Sequence, residues 1–168
     1  MEWRPRQKPK EVRIALIGTG VQQRNHMRNY AGLPGVKFVA ASDIIEEKLN
    51  EFCDDFHIGH RYIDYREMLK RDDIDAVDVT VHNNLHLPLV LDVLRAGKHC
   101  YCEKPMAGSF ADAVTMYRAS EDYGRMLHIQ LGRIYDPETV AAKEYIDSGK
   151  LGHIYHARSY GYRRRGRP

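Results

Sequence analysis

Short runs of aliphatic and β-branched residues alternate along this chain with stretches in which apolar positions recur every three or four residues, the pattern of strands separated by helices lying on a sheet. Val12–Ile17 reads V-R-I-A-L-I, a strand, and passes through Gly18-Thr19-Gly20 into a polar helix over 21–31 that Gly32, Pro34 and Gly35 end. A second strand follows at 36–41. The segment 44–56 then puts Leu49, Phe52, Cys53 and Phe56 on one helical face. Residues 62–70 are irregular apart from a helical turn over 65–69. A valine-rich strand is expected at 76–81, and a helix over 85–96 takes Pro88 in its first turn and stops at Gly97. A strand at 99–103 leads to a helix that opens on the capping pair Ser109 and Asp112 and closes at Gly124. One more strand is expected at 126–131, then a helix with Asp136 as N-cap and Pro137 in its first position, ending at Ser148-Gly149. Residues 153–162 break the alternation, with Ile154, His156, Arg158, Tyr160 and Tyr162 on one face of a further strand.

Strands and helices alternating at this spacing imply right-handed crossovers, and hence an α/β fold of the Rossmann type, a doubly wound and mostly parallel sheet. The expected organisation is a basic tail over 1–10, a dinucleotide-binding domain over 11–150, and over 151–168 the truncated start of a second α/β domain, represented by its first strand. A lone strand of that kind is expected to be mobile or to pair with another molecule, which would make a homo-oligomer through this strand or through the missing domain.

In such a sheet the ligand crevice lies beyond the carboxyl ends of the strands, and the candidate residues fall there. Gly18 allows a sharp turn off the first strand. Gly20 removes a side chain, so that a pyrophosphate can reach the backbone N–H groups at the start of the helix, where Val21 and Gln22 stand. The third glycine of the usual G-x-G-x-x-G fingerprint is Gln23 here, so the helix-to-strand contact must be reorganised. Two glycines in a strand-to-helix turn also occur where nothing binds. Asp43, ending the second strand, is placed to accept hydrogen bonds from the adenosine ribose hydroxyls and to repel a 2′-phosphate, which favours NAD over NADP; the alternative is a helix cap paired with Glu46. Glu103-Lys104-Pro105 closes the strand at 99–103. There a lysine ammonium can transfer a proton to or from a reacting hydroxyl or stabilise an alkoxide, or else it is a surface lysine before a turn proline. Asn83 is placed to donate its amide to a cofactor. His82 and His86 are four apart but straddle a turn and have no third ligand beside them, so no metal site is expected.

The chain has 168 residues and 43% hydrophobic content, enough for one domain with a proper core. Cys53, Cys100 and Cys102 are read as buried structural thiols. Of the net charge of +3, Arg163, Arg164, Arg165 and Arg167 supply four positive charges, so the rest carries −1 and a nucleic-acid face on the folded body is not expected. No apolar run reaches the roughly 20 residues of a membrane span and the amino end lacks the apolar core of a secretory signal, which points to a cytoplasmic protein with no membrane partner.

Taken together, V-R-I-A-L-I-G-T-G at 12–20, V-A-A-S-D at 39–43, N-N-L-H at 83–86, A-G-K-H-C-Y-C-E-K-P at 96–105, Y-D-P at 135–137 and I-D-S-G-K-L-G-H-I at 146–154 resemble the Gfo/Idh/MocA family of NAD(P)-dependent sugar and polyol oxidoreductases. The resemblance implies that Lys104 is the lysine that acts beside the nicotinamide, and that Glu103, Pro105, Asn83 and His86 line or support the cofactor cleft. It implies hydride transfer between a nicotinamide cofactor and a sugar, cyclitol or sugar derivative. The chain departs from the family at Val81-His82, where Thr-Pro or Ser-Pro is usual, at Gln23, and at Ile134, where arginine is common. Family members add a second α/β domain that supplies a catalytic aspartate and histidine, so a 168-residue chain is expected to be a catalytically incomplete fragment. Two other readings are a non-catalytic NAD-binding module and a redox-assisted glycoside-cleaving enzyme.

Overall fold

The computed structural model describes residues 11–162; the basic tail 1–10 and the arginines at 163–167 lie outside them. The chain divides after Gln130 into two units, so the first ends earlier than the expected boundary at 150.

The first unit is built on a six-stranded sheet of order β3-β2-β1-β4-β5-β6, every neighbouring pair parallel. Its strands are β1 (Val12–Ile17), β2 (Val36–Ser42), β3 (His60–Tyr62), β4 (Ala76–Val79), β5 (His99–Cys102) and β6 (Leu127–Ile129), with helices α1 (Val21–Tyr30), α2 (Glu46–Asp55), α3 (Tyr65–Leu69), α4 (His86–Arg95) and α5 (Phe110–Asp122) between them. β3 is an addition to the pattern read from the sequence: three residues are too few for periodicity to show, and the strand exists because its backbone pairs with Ala40–Ser42 of β2.

Side chains alternate across the sheet with the period of two that strands impose, and this separates two cores. Ala15 and Ile17 of β1 face a cluster with Val77, Val79, Cys100 and Cys102, which α4 covers with Leu89, Val90, Val93 and Leu94 and α5 with Met116 and Ala119. Leu16 faces the other side, where Met27 of α1 and Leu49, Phe52 and Cys53 of α2 close over it. Helices therefore lie on both faces, as a parallel sheet requires to keep both out of water. Each fully buried large aliphatic or aromatic side chain here contributes about 1.5–3 kcal/mol. The three thiols are buried and free, and burial, followed by the charge of Asp78, pushes the Cys102 thiol up to about 12, which leaves it unreactive.

Helix starts differ in detail from the pattern. Ser109 caps α5 as expected, its hydroxyl accepting the Asp112 N–H at 3.1 Å. Asp43 does not cap α2 through a box with Glu46, because that helix begins at Glu46 with Ile45 in the cap position. Asp43 Oδ1 instead accepts the Ile45 N–H at 2.9 Å, a tight turn before the helix.

The second unit, followed to residue 162, contains a short 3₁₀ turn at Gly132–Tyr135 and helix α6 (Pro137–Asp147). Pro137 opens α6 with Asp136 in the cap position, although the Asp136 side chain makes no capping bond. Residues 153–162 do not form the expected strand. A strand exists only through a neighbour's ladder, and the described residues of this unit offer no second strand to pair with.

Candidate functional site

The strand order reverses between β1 and β4, since β2 and β3 run out to one side and β5 and β6 to the other. Connections leaving these two strands go to opposite faces, so a crevice opens beyond their carboxyl ends. Four segments meet its rim: the glycine turn after β1, Asp43 after β2, residues 80–83 after β4, and Glu103-Lys104-Pro105 after β5.

The two glycines serve different needs. Gly18 has φ +90°, and a Cβ there would stand 2.4 Å from the Thr80 carbonyl oxygen, so the close approach of β1 and β4 forbids a side chain. Gly18→Ala is expected to destabilise the protein by about 2 kcal/mol or more, since a left-handed backbone and a backbone clash add together; urea unfolding of both proteins measures it. At Gly20 the backbone is ordinary, φ −73°, and a Cβ would meet nothing within 4 Å. The protein itself has no use for the missing side chain there. The space it leaves lies at the amino end of α1, whose first-turn N–H groups at Val21, Gln22 and Gln23 have no intrahelical acceptors. An open approach to backbone donors at the positive end of a helix is what a pyrophosphate requires.

Asp43 closes one side of this turn. Its Oδ2 accepts both the N–H (2.8 Å) and the hydroxyl (2.9 Å) of Thr19, between the glycines. With Oδ1 on Ile45, the carboxylate holds the glycine turn and the start of α2 together, and it is fixed before any ligand arrives. An ionised carboxylate has about four acceptor positions, so capacity remains for a ribose diol.

Gln23 reorganises the contact that a third glycine would have allowed. Completely buried, it donates from Nε2 to Asp78 Oδ2 at 2.9 Å, and its Oε1 lies 2.8 Å from the Thr80 hydroxyl. A side chain of four heavy atoms beyond Cβ thus spans from α1 to β4.

Asp78, 1% exposed in the middle of β4, collects three donors on Oδ2: Gln23 Nε2, His26 Nδ1 and the Tyr30 hydroxyl, each at 2.9 Å. His26 reaches on with Nε2 to Glu103 Oε1 at 3.0 Å. That oxygen also accepts from Gln22 Nε2 at 2.7 Å, while Glu103 Oε2 accepts the Lys104 backbone N–H at 2.9 Å. Burial alone would depress the His26 pKa, but the hydrogen bonds and charges of Asp78, and then of Glu103, outweigh it and raise it.

The sequence-derived candidates therefore separate. Gly20, Val21, Gln22, Asn83, Lys104 and Pro105 are exposed at the rim, and Asp43 is half-buried within it. Gly18 shapes the turn. Glu103 is buried and acts through Gln22, His26 and the Lys104 amide. His86 is fully buried, its Nδ1 2.8 Å from the Pro105 carbonyl and its Nε2 3.3 Å from that of Val81. It ties the loops after β4 and β5 together and does not present its ring to the crevice, a supporting rather than a contacting position. Gln23, Thr19, Thr80, Asp78, His26 and Tyr30 were not among the candidates. A signal for them exists: V-D-V at 77–79 places a carboxylate inside a strand buried on both faces, which demands partners, and Gln23, His26 and Tyr30 share one face of α1.

A parallel sheet with a switch-point crevice, an open glycine turn at a helix amino end and a carboxylate closing the second strand define a dinucleotide-binding domain. The family model for oxidoreductases with an NAD-binding Rossmann fold matches residues 12–131, and the chain belongs to that family, Gfo/Idh/MocA. It is 32% identical over 154 residues to the inositol 2-dehydrogenase of Salmonella paratyphi B, covering 89% of this chain and 46% of that protein. Among solved structures, an oxidoreductase from Agrobacterium radiobacter in complex with NAD+, L-tartaric acid and magnesium is 28% identical with a TM-score of 0.80, covering 85% of this chain and 42% of that one. A levoglucosan dehydrogenase in complex with NADH is 26% identical with a TM-score of 0.81, over 86% and 41% of the two chains. The chain thus spans less than half the length of the relatives it matches.

Proposed function

We propose that this chain is the cofactor-binding portion of an NAD-dependent oxidoreductase acting on a CH–OH group of a sugar, cyclitol or sugar derivative. The observation that carries the reading is the convergence, at one switch-point crevice, of a glycine turn open to backbone donors, a pre-fixed Asp43 carboxylate and an exposed lysine. Val21 and Gln22 N–H groups would hold the pyrophosphate past Gly20, Asp43 the adenosine ribose, and Asn83, Lys104 and Pro105 the nicotinamide end. When bound, the nicotinamide supplies the acceptor or donor for hydride. Lys104 Nζ would then hold or move the proton of the reacting hydroxyl, while Glu103 fixes the lysine's backbone. The inositol and sugar dehydrogenases among the relatives support a polyol or sugar as substrate, and inositol is the first probe. We place the protein in the cytoplasm, without a nucleic-acid or membrane partner, and with residues 151–168 as the start of a substrate domain and a surface for a second copy; no described helix is long and apolar enough to cross a membrane.

Calorimetric titration with NAD+ and NADP+ tests the cofactor assignment, and turnover of inositol by the complete protein separates an enzyme from a binding module. NAD+ is expected to bind at least about 10-fold more tightly, because the Asp43 carboxylate accepts from a 2′-hydroxyl and repels a 2′-phosphate. Asp43→Asn should narrow that ratio by removing the repulsion while keeping an acceptor for Thr19. Tighter binding of NADP+ by the parent protein would overturn the ribose assignment.

A further inference from the structure

We propose that His26, an imidazolium bridging Asp78 and Glu103, is a positioning residue that sets the Glu103-Lys104 corner of the crevice. This rests on the reading of the crevice as a cofactor site. The geometry favours the charged ring. Both ring nitrogens face carboxylate oxygens, Nδ1 at 2.9 Å from Asp78 and Nε2 at 3.0 Å from Glu103. A neutral imidazole has one N–H and would turn a lone pair toward the other carboxylate; the imidazolium donates to both. The remaining neighbours of the carboxylates donate too: Gln23 and Tyr30 to Asp78, Gln22 and the Lys104 amide to Glu103. Two ionised acids and one cation within a water-excluded space leave one net negative charge, against two if the ring were neutral. Buried ions persist only when paired and hydrogen-bonded in this way.

The bridge reaches the rim by one covalent step. Glu103 is 6% exposed, and its two oxygens divide the work: Oε1 takes His26 and Gln22, and Oε2 takes the Lys104 N–H. With the ring anchored at its far side by Asp78 on a central strand, the Glu103 carboxylate has one orientation, and the Lys104 backbone is fixed through it. Gln22, in the first turn of α1, is held by the same oxygen, so the bridge also joins the pyrophosphate end of the crevice to the lysine end.

Two tyrosines pack against the ring. Tyr30 lies 6.1 Å away with its hydroxyl on Asp78, and burial, then the Asp78 charge, raises its pKa so that it stays protonated. Tyr101 of β5 meets the ring edge-on at 5.7 Å and carries His128 of β6 stacked on it. The bridging proton is bound more tightly in the folded than in the unfolded chain. Its contribution to stability is thus fully present below the ordinary histidine value of about 6.5 and is lost as the pH rises through the higher folded value.

Nitrogen NMR of protein labelled at histidine, with the Lys104 amide followed in the same titration, tests the charge and the coupling. The expected result is one histidine that keeps both nitrogens protonated to a higher pH than an ordinary histidine, and a Lys104 amide resonance that moves with the same midpoint. In the complete protein, His26→Gln should lower kcat about 10-fold or more while the NAD+ dissociation constant changes by less than about 3-fold, since misplacing a reacting group costs rate before binding. The wild-type titration stands even if the variant does not fold. A His26 that loses its proton at or below the ordinary histidine value, or a Lys104 amide indifferent to its titration, overturns the proposal, as does an unchanged kcat in a folded variant. Failure of the parent protein to bind NAD+ would instead overturn the cofactor reading, leaving the spectroscopic result readable.

Discussion

Gly20→Val is expected to weaken NAD+ binding by about 10² or more, which is about 2.7 kcal/mol, while the protein remains folded. The asymmetry between the two glycines of the turn makes the experiment clean. A Cβ at Gly20 would meet nothing within 4 Å, and φ −73° suits any L-residue, so the fold has little to lose beyond a poorer helix N-cap, about 1 kcal/mol. The ligand loses the space through which it would reach the N–H groups of Val21 and Gln22. Gly18 is the reverse case, needed by the protein because Thr80 stands in the way. Calorimetry with NAD+ reads the binding and urea unfolding reads the stability. A Gly20→Val protein that binds as well as its parent would reduce the turn to a structural element.

The same distinction separates what the chain shows in its letters from what only the fold reveals. β1, its glycine turn and the lysine corner are legible because each is a local pattern: an apolar run, a turn residue, a short block at a strand end. The capping of α5 by Ser109 is local in the same sense. The Asp78-His26-Glu103 bridge is not, because its members lie 52 and 77 positions from the histidine and meet only when β4 and β5 pair beside α1. Local pattern misleads where a partner decides the outcome. The 153–162 segment alternates as a strand does but finds no strand to pair with among the described residues, whereas His60–Tyr62 barely alternates and becomes a strand because β2 offers an edge. Asp43 shows a third case: its position at the end of β2 was readable, but its grip on Thr19 depends on the register of β1 against β2.

Lys104→Met is expected to lower kcat in the complete protein by about 10² or more with the NAD+ dissociation constant within about 3-fold of the parent. Lys104 is exposed at the rim, and Glu103 holds its backbone amide rather than its side chain, so methionine keeps the corner and most of the length while removing the ammonium. A group that holds or moves a proton only as hydride departs contributes in the transition state and not in the resting complex, so kcat and kcat/KM should fall together. Lys104→Arg then divides the two roles open to the side chain. Guanidinium keeps the positive charge but does not give up its proton, so partial recovery of kcat would assign the lysine to alkoxide stabilisation. An arginine protein as slow as the methionine one would assign it to proton transfer at Nζ. Unchanged turnover in Lys104→Met would remove the residue from the chemistry and leave the crevice as a binding site alone.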